Sequence, residues 1–414
     1  MKCTIIGGGI IGLSSAYFLR QAGWEVTVID RTDIQNNCSY GNAGYVCPSH
    51  FIPLAAPGII TQGLQWLLNS RSPFYIQPRF DWGLADWGVK FMRKANAEHV
   101  ADSAIPLRNI ALLSQKLYEE WAASPRFQFG YDHRGLIEYV QTESSADHAR
   151  HTVEKALELG LQAEYLEYDA AQALEPELEL LIKGAIRFGC DAHLYPNQLM
   201  HNLLSVLQED GVNIRSEENF IGIERQGRRI SEVITDRDSY HTDLLVVASG
   251  SWSREVGKIV GLSIPLVGGR GYSITLEDSP YRLNYPSILH EGKVAITPLD
   301  DRHIRFGGTM EITGTNVPPK RTRIEGLLNS VKRFIPEWDI PVPSMEKVWY
   351  GYRPCSADGL PYIDRVSKWD NCIVATGHSM LGISLGAGTG KLVEELADEK
   401  PTSMPLDPFK LNRF

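Results

Sequence analysis

The chain has 414 residues, 43% of them hydrophobic and 22% charged, the balance of a globular protein with room for two cores. Its net charge of −9 argues against nucleic acid as a main partner, because a phosphate-binding face must be basic. The six cysteines form no CxxC pair, which fits free thiols better than a disulfide framework or a zinc site, and no metal is expected.

The apolar N-terminus is interrupted by Gly7, Gly8, Gly9 and Gly12 and closed by Arg20, so it reads neither as a signal peptide nor as a membrane span. A cytoplasmic location is expected. Residues 3–30 form one βαβ unit: strand Cys3–Ile6, a helical pattern from Gly12 to Ala22, and a buried strand Val26–Ile29 ending at Asp30. Residues 45–98, rich in Pro, Gly and aromatic side chains, allow only short helices. Helical patterns run from Asp102 to Ala122 and from Ser145 to Leu159, with a strand over 135–141 between them. A helix from Pro196 to Gly211 carries its proline in the first turn and leads into a strand ending at Arg215. Leu244–Ala248 is a buried strand. Residues 265–345 alternate strands and turns, which predicts an antiparallel sheet. A strand over 371–376 and a helix from Ala387 to Asp398 close the chain.

The expected fold is α/β: a Rossmann-type dinucleotide-binding domain interwoven with an α+β substrate domain built on an antiparallel sheet. The binding domain is expected over 1–45, 145–264 and 346–400, the substrate domain over 46–144 and 265–345, and a tail over 401–414.

Gly7, Gly9 and Gly12 satisfy G-x-G-x-x-G between a strand and a helix, with Asp30 at the end of the next strand. Gly7 permits the tight turn, Gly9 lets the backbone approach a pyrophosphate, and Gly12 allows close helix-on-strand packing. Asp30 can accept from ribose hydroxyls. Ile10 and Ile11 open the helix whose N-terminal N–H groups face the diphosphate. The motif predicts a dinucleotide and leaves FAD and NAD both open.

Four further segments carry a resemblance: Ser39-Tyr-Gly-Asn-Ala-Gly44, Val246-Val-Ala-Ser-Gly-Ser-Trp-Ser253, Gly351-Tyr-Arg-Pro-Cys-Ser-Ala-Asp-Gly-Leu-Pro361, and Ala375-Thr-Gly-His-Ser-Met-Leu-Gly382 with Gly386 to Gly390. In this order they resemble the D-amino-acid oxidase and glycine oxidase superfamily, and most of all its bacterial D-amino-acid dehydrogenase branch. The resemblance implies FAD. It puts Asn42, Ala43 and Gly44 beside the flavin ring, and Arg31, Phe220, Ser249, Gly250 and Trp252 among the nucleotide contacts. Gly382, Ile383, Ser384, Leu385 and Thr389 would supply donors to the flavin from a glycine-rich run just ahead of the last helix; the same glycines also suit close helix packing. The covalent sarcosine oxidase branch has a cysteine just ahead of the Arg-Pro pair, where this chain has Gly351, so non-covalent FAD is implied.

Arg353 is the implied carboxylate clamp, since a planar guanidinium fixes both position and rotation of a carboxylate; an inter-domain salt bridge is the alternative. Tyr272, His50 and His378 are further catalytic candidates, each with a purely structural alternative. Arg270 is a second basic group of unread direction. The implied reaction is removal of hydride from the carbon bearing the amino group of a D-amino acid, with D-proline or hydroxy-D-proline suggested by Gly41–His50 and the segment after it. A quinone or the respiratory chain is the implied acceptor. Trp66, Leu67, Leu68, Phe74 and Tyr75, with a short helix over Gln62–Asn69, suit either packing against the substrate domain or a peripheral contact with the inner face of a membrane. The rival readings are a glycine or sarcosine oxidase using oxygen, an NAD-dependent dehydrogenase, and a nucleotide-binding module without turnover.

Overall fold

The computed structural model describes residues 1–58, 74–77, 79–314 and 317–414. The short helix expected over Gln62–Asn69, with Trp66, Leu67 and Leu68, lies outside the described residues. Strand Lys2–Ile6 sits at the centre of a six-stranded sheet, in the order Asn213–Arg215, Glu25–Ile29, Lys2–Ile6, Leu244–Val247, Cys372–Thr376, Tyr362–Arg365. The first five strands are parallel and the last runs against its neighbour. Leu244–Val247 and Cys372–Thr376, buried along their length, are continuous apolar runs of the sequence.

A larger mixed sheet follows the order Trp349–Ser356, Leu266–Leu276, Ile304–Ile312, Val294–Pro298, Ser287–Leu289, Leu136–Val140, Gly184–Phe188, Ala163–Glu167, with Phe74–Ile76 beside the end of Ile304–Ile312. Pairing is antiparallel except where Ser287–Leu289 meets Leu136–Val140 and where Phe74–Ile76 joins. Segment 145–264 is therefore divided: Ala163–Glu167 and Gly184–Phe188 belong to this larger sheet, while Asn213–Arg215 and Leu244–Val247 stay with the nucleotide sheet. Strand Trp349–Ser356 pairs along its length with Leu266–Leu276, and Cys355 at its end bridges to His378. It stitches the two sheets together.

Several helices depart from the expected pattern. Asn96 accepts a hydrogen bond from the His99 N–H and starts a helix Ala97–Ala123, earlier than Asp102, which runs on through Pro106. A 13-residue helix Trp82–Lys94, capped by Asp81, lies in the stretch read as short helices only. Helix Arg321–Phe334 interrupts the all-strand reading of 265–345. Its Ile324, Leu327, Leu328, Val331 and Phe334 lie at helical spacing and are buried.

Beneath the larger sheet sits a buried ionic cluster. Glu311 Oε2 accepts from Arg270 Nε (3.0 Å) and Nη2 (2.7 Å) and from the Tyr272 hydroxyl (2.6 Å), while Oε1 accepts from Arg323 Nε (3.0 Å). The side chains of Arg270 and Glu311 are wholly buried. Burial alone would raise the Glu311 carboxyl; the Tyr272 and Arg270 bonds and the charges of Arg270 and Arg323 outweigh it and hold it below the usual carboxylate range. Removing one partner of such a cluster strands the remaining charges. Glu311→Ala should cost about 3–5 kcal/mol of unfolding free energy, measured by urea titration at neutral pH. Because the folded carboxyl is depressed, its contribution is full above the unfolded range and is lost as pH falls through the lowered value, so the parent protein should lose stability toward acid more steeply than the variant.

Candidate functional site

Gly9 ends strand Lys2–Ile6's turn as the N-cap of helix Ile10–Gln21. The three motif glycines do different work. A Cβ on Gly7, which has φ +118°, would lie 2.4 Å from the Ala248 carbonyl oxygen, and one on Gly12 would lie 1.8 Å from that of Gly7. Both are demanded by packing. A Cβ on Gly9 meets only Ser39 Oγ, at 3.5 Å, so the protein leaves open space there for something else. The Asp30 carboxylate accepts from the Gly8 N–H (2.6 Å) and from the Thr32 N–H (2.8 Å) and hydroxyl (2.7 Å). Ser39 Oγ accepts from the Ile10 N–H (3.0 Å).

One cleft of about 1460 Å³ runs from this turn between the two sheets. Gly7, Gly9, Ile10, Ile11, Asp30 and Arg31 line it, and Phe220, Ser249, Gly250 and Trp252 form the same end, where the Arg31 guanidinium lies 4.2 Å over the Trp252 ring. Further along are Asn42 and Ala43, then Gly382, Ile383 and Ser384. Four expected contacts fall outside the lining. Gly12 packs on Gly7; Gly44, at φ +85°, would press a Cβ to 2.1 Å from the Leu194 carbonyl oxygen. Leu385 is core, and Thr389 is fully buried.

For Leu385 and Thr389 the reason is a shifted helix. The last helix is Gly382–Ala397, so the glycine-rich run lies inside it rather than ahead of it. A Cβ on Gly386 would meet Ile10 Cγ1 at 2.6 Å, one on Gly388 the Ile110 carbonyl oxygen at 2.9 Å, and one on Gly390 the Ser14 backbone at 2.5 Å. These glycines let the helix lie against two neighbours. Its first turn, at Gly382–Ser384, faces the cleft with N–H groups that lack intrahelical acceptors.

The loop between is pinned from both sides. Arg305 Nη1 donates to the carbonyls of Tyr40 (2.8 Å) and Asn42 (2.7 Å), and Thr297 Oγ1 donates to that of Ala43 (2.8 Å). Ser384 Oγ donates to the Tyr45 carbonyl (2.7 Å) and accepts from the Cys47 N–H (3.2 Å). Burial lowers the Arg305 guanidinium to about 10. Sequence reasoning missed Arg305, whose partners Tyr40, Asn42, Asn197 and Thr275 lie 30 or more positions away in the chain.

Arg353, His50, His378 and Tyr272 all line the cleft. The Arg353 guanidinium lies over the backbone of Gly271, where a Cβ would come within 2.3 Å of it, and Nη1 donates to the Thr309 carbonyl. Burial lowers it, and its ionisable neighbours are the thiols of Cys355 and Cys38, not carboxylates. The Tyr272 hydroxyl is committed: it donates to Glu311 and accepts from the Lys320 N–H (3.0 Å). Arg270 points into the ionic cluster, away from the cleft. His378 is buried, bonded through Nε2 to Thr389 Oγ1 (2.9 Å), and lowered by burial to about 3, so the ring is neutral. His50 sits on a turn held by Asp191, which accepts from the Ser49 N–H (3.1 Å) and hydroxyl (2.5 Å). Cys47, His50 and Asp191 present side-chain atoms within 4.8 Å of one another. Trp349, unread in the sequence, lies across Gly41 and Gly351, where a Cβ would reach its ring at 2.1 Å and 2.2 Å. A side chain at 351 would have to displace that indole.

A long cleft with two helix N-termini, an open cradle at Gly9 and a carboxylate at Asp30 fits a dinucleotide with an extended second ring system. The comparisons agree. The family model described as FAD dependent oxidoreductase (DAO) matches residues 2–396. A D-amino acid dehydrogenase of Neisseria meningitidis serogroup C (strain 053442) is 29% identical over 425 residues, covering 100% of both chains. One of Rhizobium rhizogenes (strain K84 / ATCC BAA-868) is 31% identical over 420 residues, again covering 100% of both. Among solved structures, glycine oxidase from Geobacillus kaustophilus superposes with a TM-score of 0.78 at 22% identity, over 100% of this chain and 98% of the other. L-proline dehydrogenase from P. horikoshii gives 0.76 at 17%, over 100% and 97%; both share the fold. The chain belongs to the DAO family of FAD-dependent oxidoreductases.

Proposed function

We propose that the protein dehydrogenates a D-amino acid at the carbon bearing its amino group, with the substrate carboxylate held by Arg353. The observation that carries this reading is a largely buried guanidinium on the cleft wall whose ionisable neighbours are thiols. A buried cation without an anion is costly, and a bidentate carboxylate supplies the missing charge. The full-length relatives named D-amino acid dehydrogenase support the class of substrate.

FAD, when bound, supplies the two-electron acceptor for the hydride. Gly9, Ile10, Ile11 and Asp30 would hold its diphosphate and ribose, Arg31 and Trp252 the far end, and Asn42, Ala43 and Gly382–Ser384 the flavin. The residues do the rest by position and field: Arg353 orients the substrate, and the first turn of helix Gly382–Ala397 favours negative charge beside it. The neutral His378 adds no positive charge at neutral pH, and His50 is the imidazole offered for the amine proton.

Arg353→Lys keeps the charge and loses the planar fork, so kcat/KM for D-amino acids should fall by about 2–4 kcal/mol of transition-state binding with flavin content unchanged; an unaltered kcat/KM rules Arg353 out of the substrate site. Gly9→Val changes no protein contact of note yet fills the open cradle, so this variant should fold and purify colourless. The parent's yellow colour should pass to the supernatant on acid precipitation, as non-covalent FAD requires.

A quinone is the proposed acceptor, with a membrane surface as its source. The supporting observation is helix Trp82–Lys94. Trp82, Ala85 and Val89 form an exposed stripe at helical spacing, next to the exposed Phe80, while Trp87, Phe91 and Met92 of the same helix line the cleft. No helix among the described residues is long and apolar enough to cross a membrane, so any contact of this helix would be shallow. Reduced enzyme should reoxidise much faster with a soluble quinone than in air-saturated buffer, and Trp82→Asp should weaken liposome sedimentation without loss of flavin. Rapid reoxidation by oxygen with stoichiometric peroxide would favour the oxidase alternative.

A further inference from the structure

The amino-acid reading leaves the side-chain end of the substrate unspecified, and strand alternation specifies it. Phe74, Tyr75 and Ile76 pair in register with Met310, Glu311 and Ile312, and successive side chains of a strand point to opposite faces. On one face lie Glu311 and Tyr75, with Arg270 and Arg323 on the carboxylate and the Lys320 ammonium 4.9 Å and the Arg323 guanidinium 5.1 Å from the Tyr75 ring. On the other face, toward the cleft, lie Phe74, Ile76, Met310 and Ile312. In this pair of strands the Glu311 carboxylate lies on the side away from the cleft.

Helix Trp82–Lys94 completes the apolar wall. Trp87 packs in one cluster with Met310, Ile312, Phe74, Ile76 and Phe91. Its indole N–H is already given to the Cys355 carbonyl at 2.9 Å, and its ring stacks on Phe91 with centroids 5.0 Å apart. Met310 ties this wall to the clamp, its sulfur standing 4.0 Å from Arg353 Nη1. Strands Phe74–Ile76 and Ile304–Ile312 and helix Trp82–Lys94 contribute no charged side chain to the cleft lining among the described residues.

We infer that the substrate carries an uncharged, apolar side chain, lodged beyond Arg353 against Met310, Phe74, Ile76, Trp87 and Phe91. The inference rests on the amino-acid reading of the site. A charged side-chain terminus would exchange its hydration for a wall that offers it no partner, whereas an alkyl or thioether chain gains contact there.

The test compares D-norleucine with D-lysine, which share a four-carbon side chain and differ by the terminal ammonium. With the holoenzyme and an artificial electron acceptor, kcat/KM should favour D-norleucine by on the order of 100-fold. Ile76→Glu places a carboxylate on the wall and should narrow that ratio by raising D-lysine while lowering D-norleucine. Phe91→Asp repeats the test from the helix should the strand variant fail to fold. Parity of the two substrates in the parent enzyme, with the flavin bleached by both, overturns this inference and leaves amino-acid oxidation intact. A ratio that neither variant moves overturns the location of the side-chain pocket. Failure of every D-amino acid to bleach the flavin overturns the reading of the site itself and the inference with it.

Discussion

The architecture depends on how closely the last helix approaches the first. Gly386 and Gly390 bring helix Gly382–Ala397 down on Ile10 and Ser14 of helix Ile10–Gln21, and Gly388 brings it against Ile110 and Ser114 of the long helix. Any Cβ at these positions would overlap backbone or a packed side chain, so the approach exists only because these residues are glycine. Its consequence is electrostatic. Two helix N-termini, some 370 residues apart in the chain, open on one cleft, and both favour negative charge there. The Tyr118 hydroxyl, donating to the Ile383 carbonyl at 2.8 Å, ties the long helix to the same first turn.

The second sheet is attached by strand Trp349–Ser356, which carries Arg353 at the seam. Along the sheet, glycines again make room: Gly271 for the guanidinium, Gly41 and Gly351 for the Trp349 ring, and Gly269 for the Met310 sulfur. Four arginines serve this region in different ways. Arg270 and Arg323 share Glu311 and hold the sheet's far side; Arg305 spends its donors on the Tyr40 and Asn42 carbonyls, on Asn197 and on Thr275, so it holds a loop. Arg353 alone lies on the cleft wall. Three guanidiniums are spent on structure, and what separates the fourth is the direction its strand gives it.

Legibility in the sequence tracks the range of the interactions. Local signals were clear: the βαβ unit with its Gly7-Gly9-Gly12 turn, the buried strand at Leu244, and the helix opened by Pro196 all lie where their patterns put them. Where a local signal had two causes, the wrong one could be read. The glycines at 386, 388 and 390 look like a loop before a helix because glycine is a poor helix former, yet tertiary packing overrides propensity and they sit mid-helix. Helix Arg321–Phe334 has a plain apolar period, but it is set between strands and was absorbed into them.

By itself the sequence determined the dinucleotide turn, the order of the parallel strands' apolar runs, and the short list of residues from which a site could be built, because each depends on neighbours a few positions away. Only the tertiary structure decided which candidates bring their charge or hydroxyl to bear on the cleft. Tyr272 and Arg353 lie on paired strands and look equally available in the sequence. The Tyr272 hydroxyl is closed off by a carboxylate 39 positions away, while Arg353 emerges with thiols for ionisable neighbours. The same holds for His378, whose burial removes its charge, and for Phe74, Met310 and Trp87, which become one wall only when a helix crosses two strands. A side chain's direction and partners are set by chain segments brought together in folding, and no spacing within one segment encodes them.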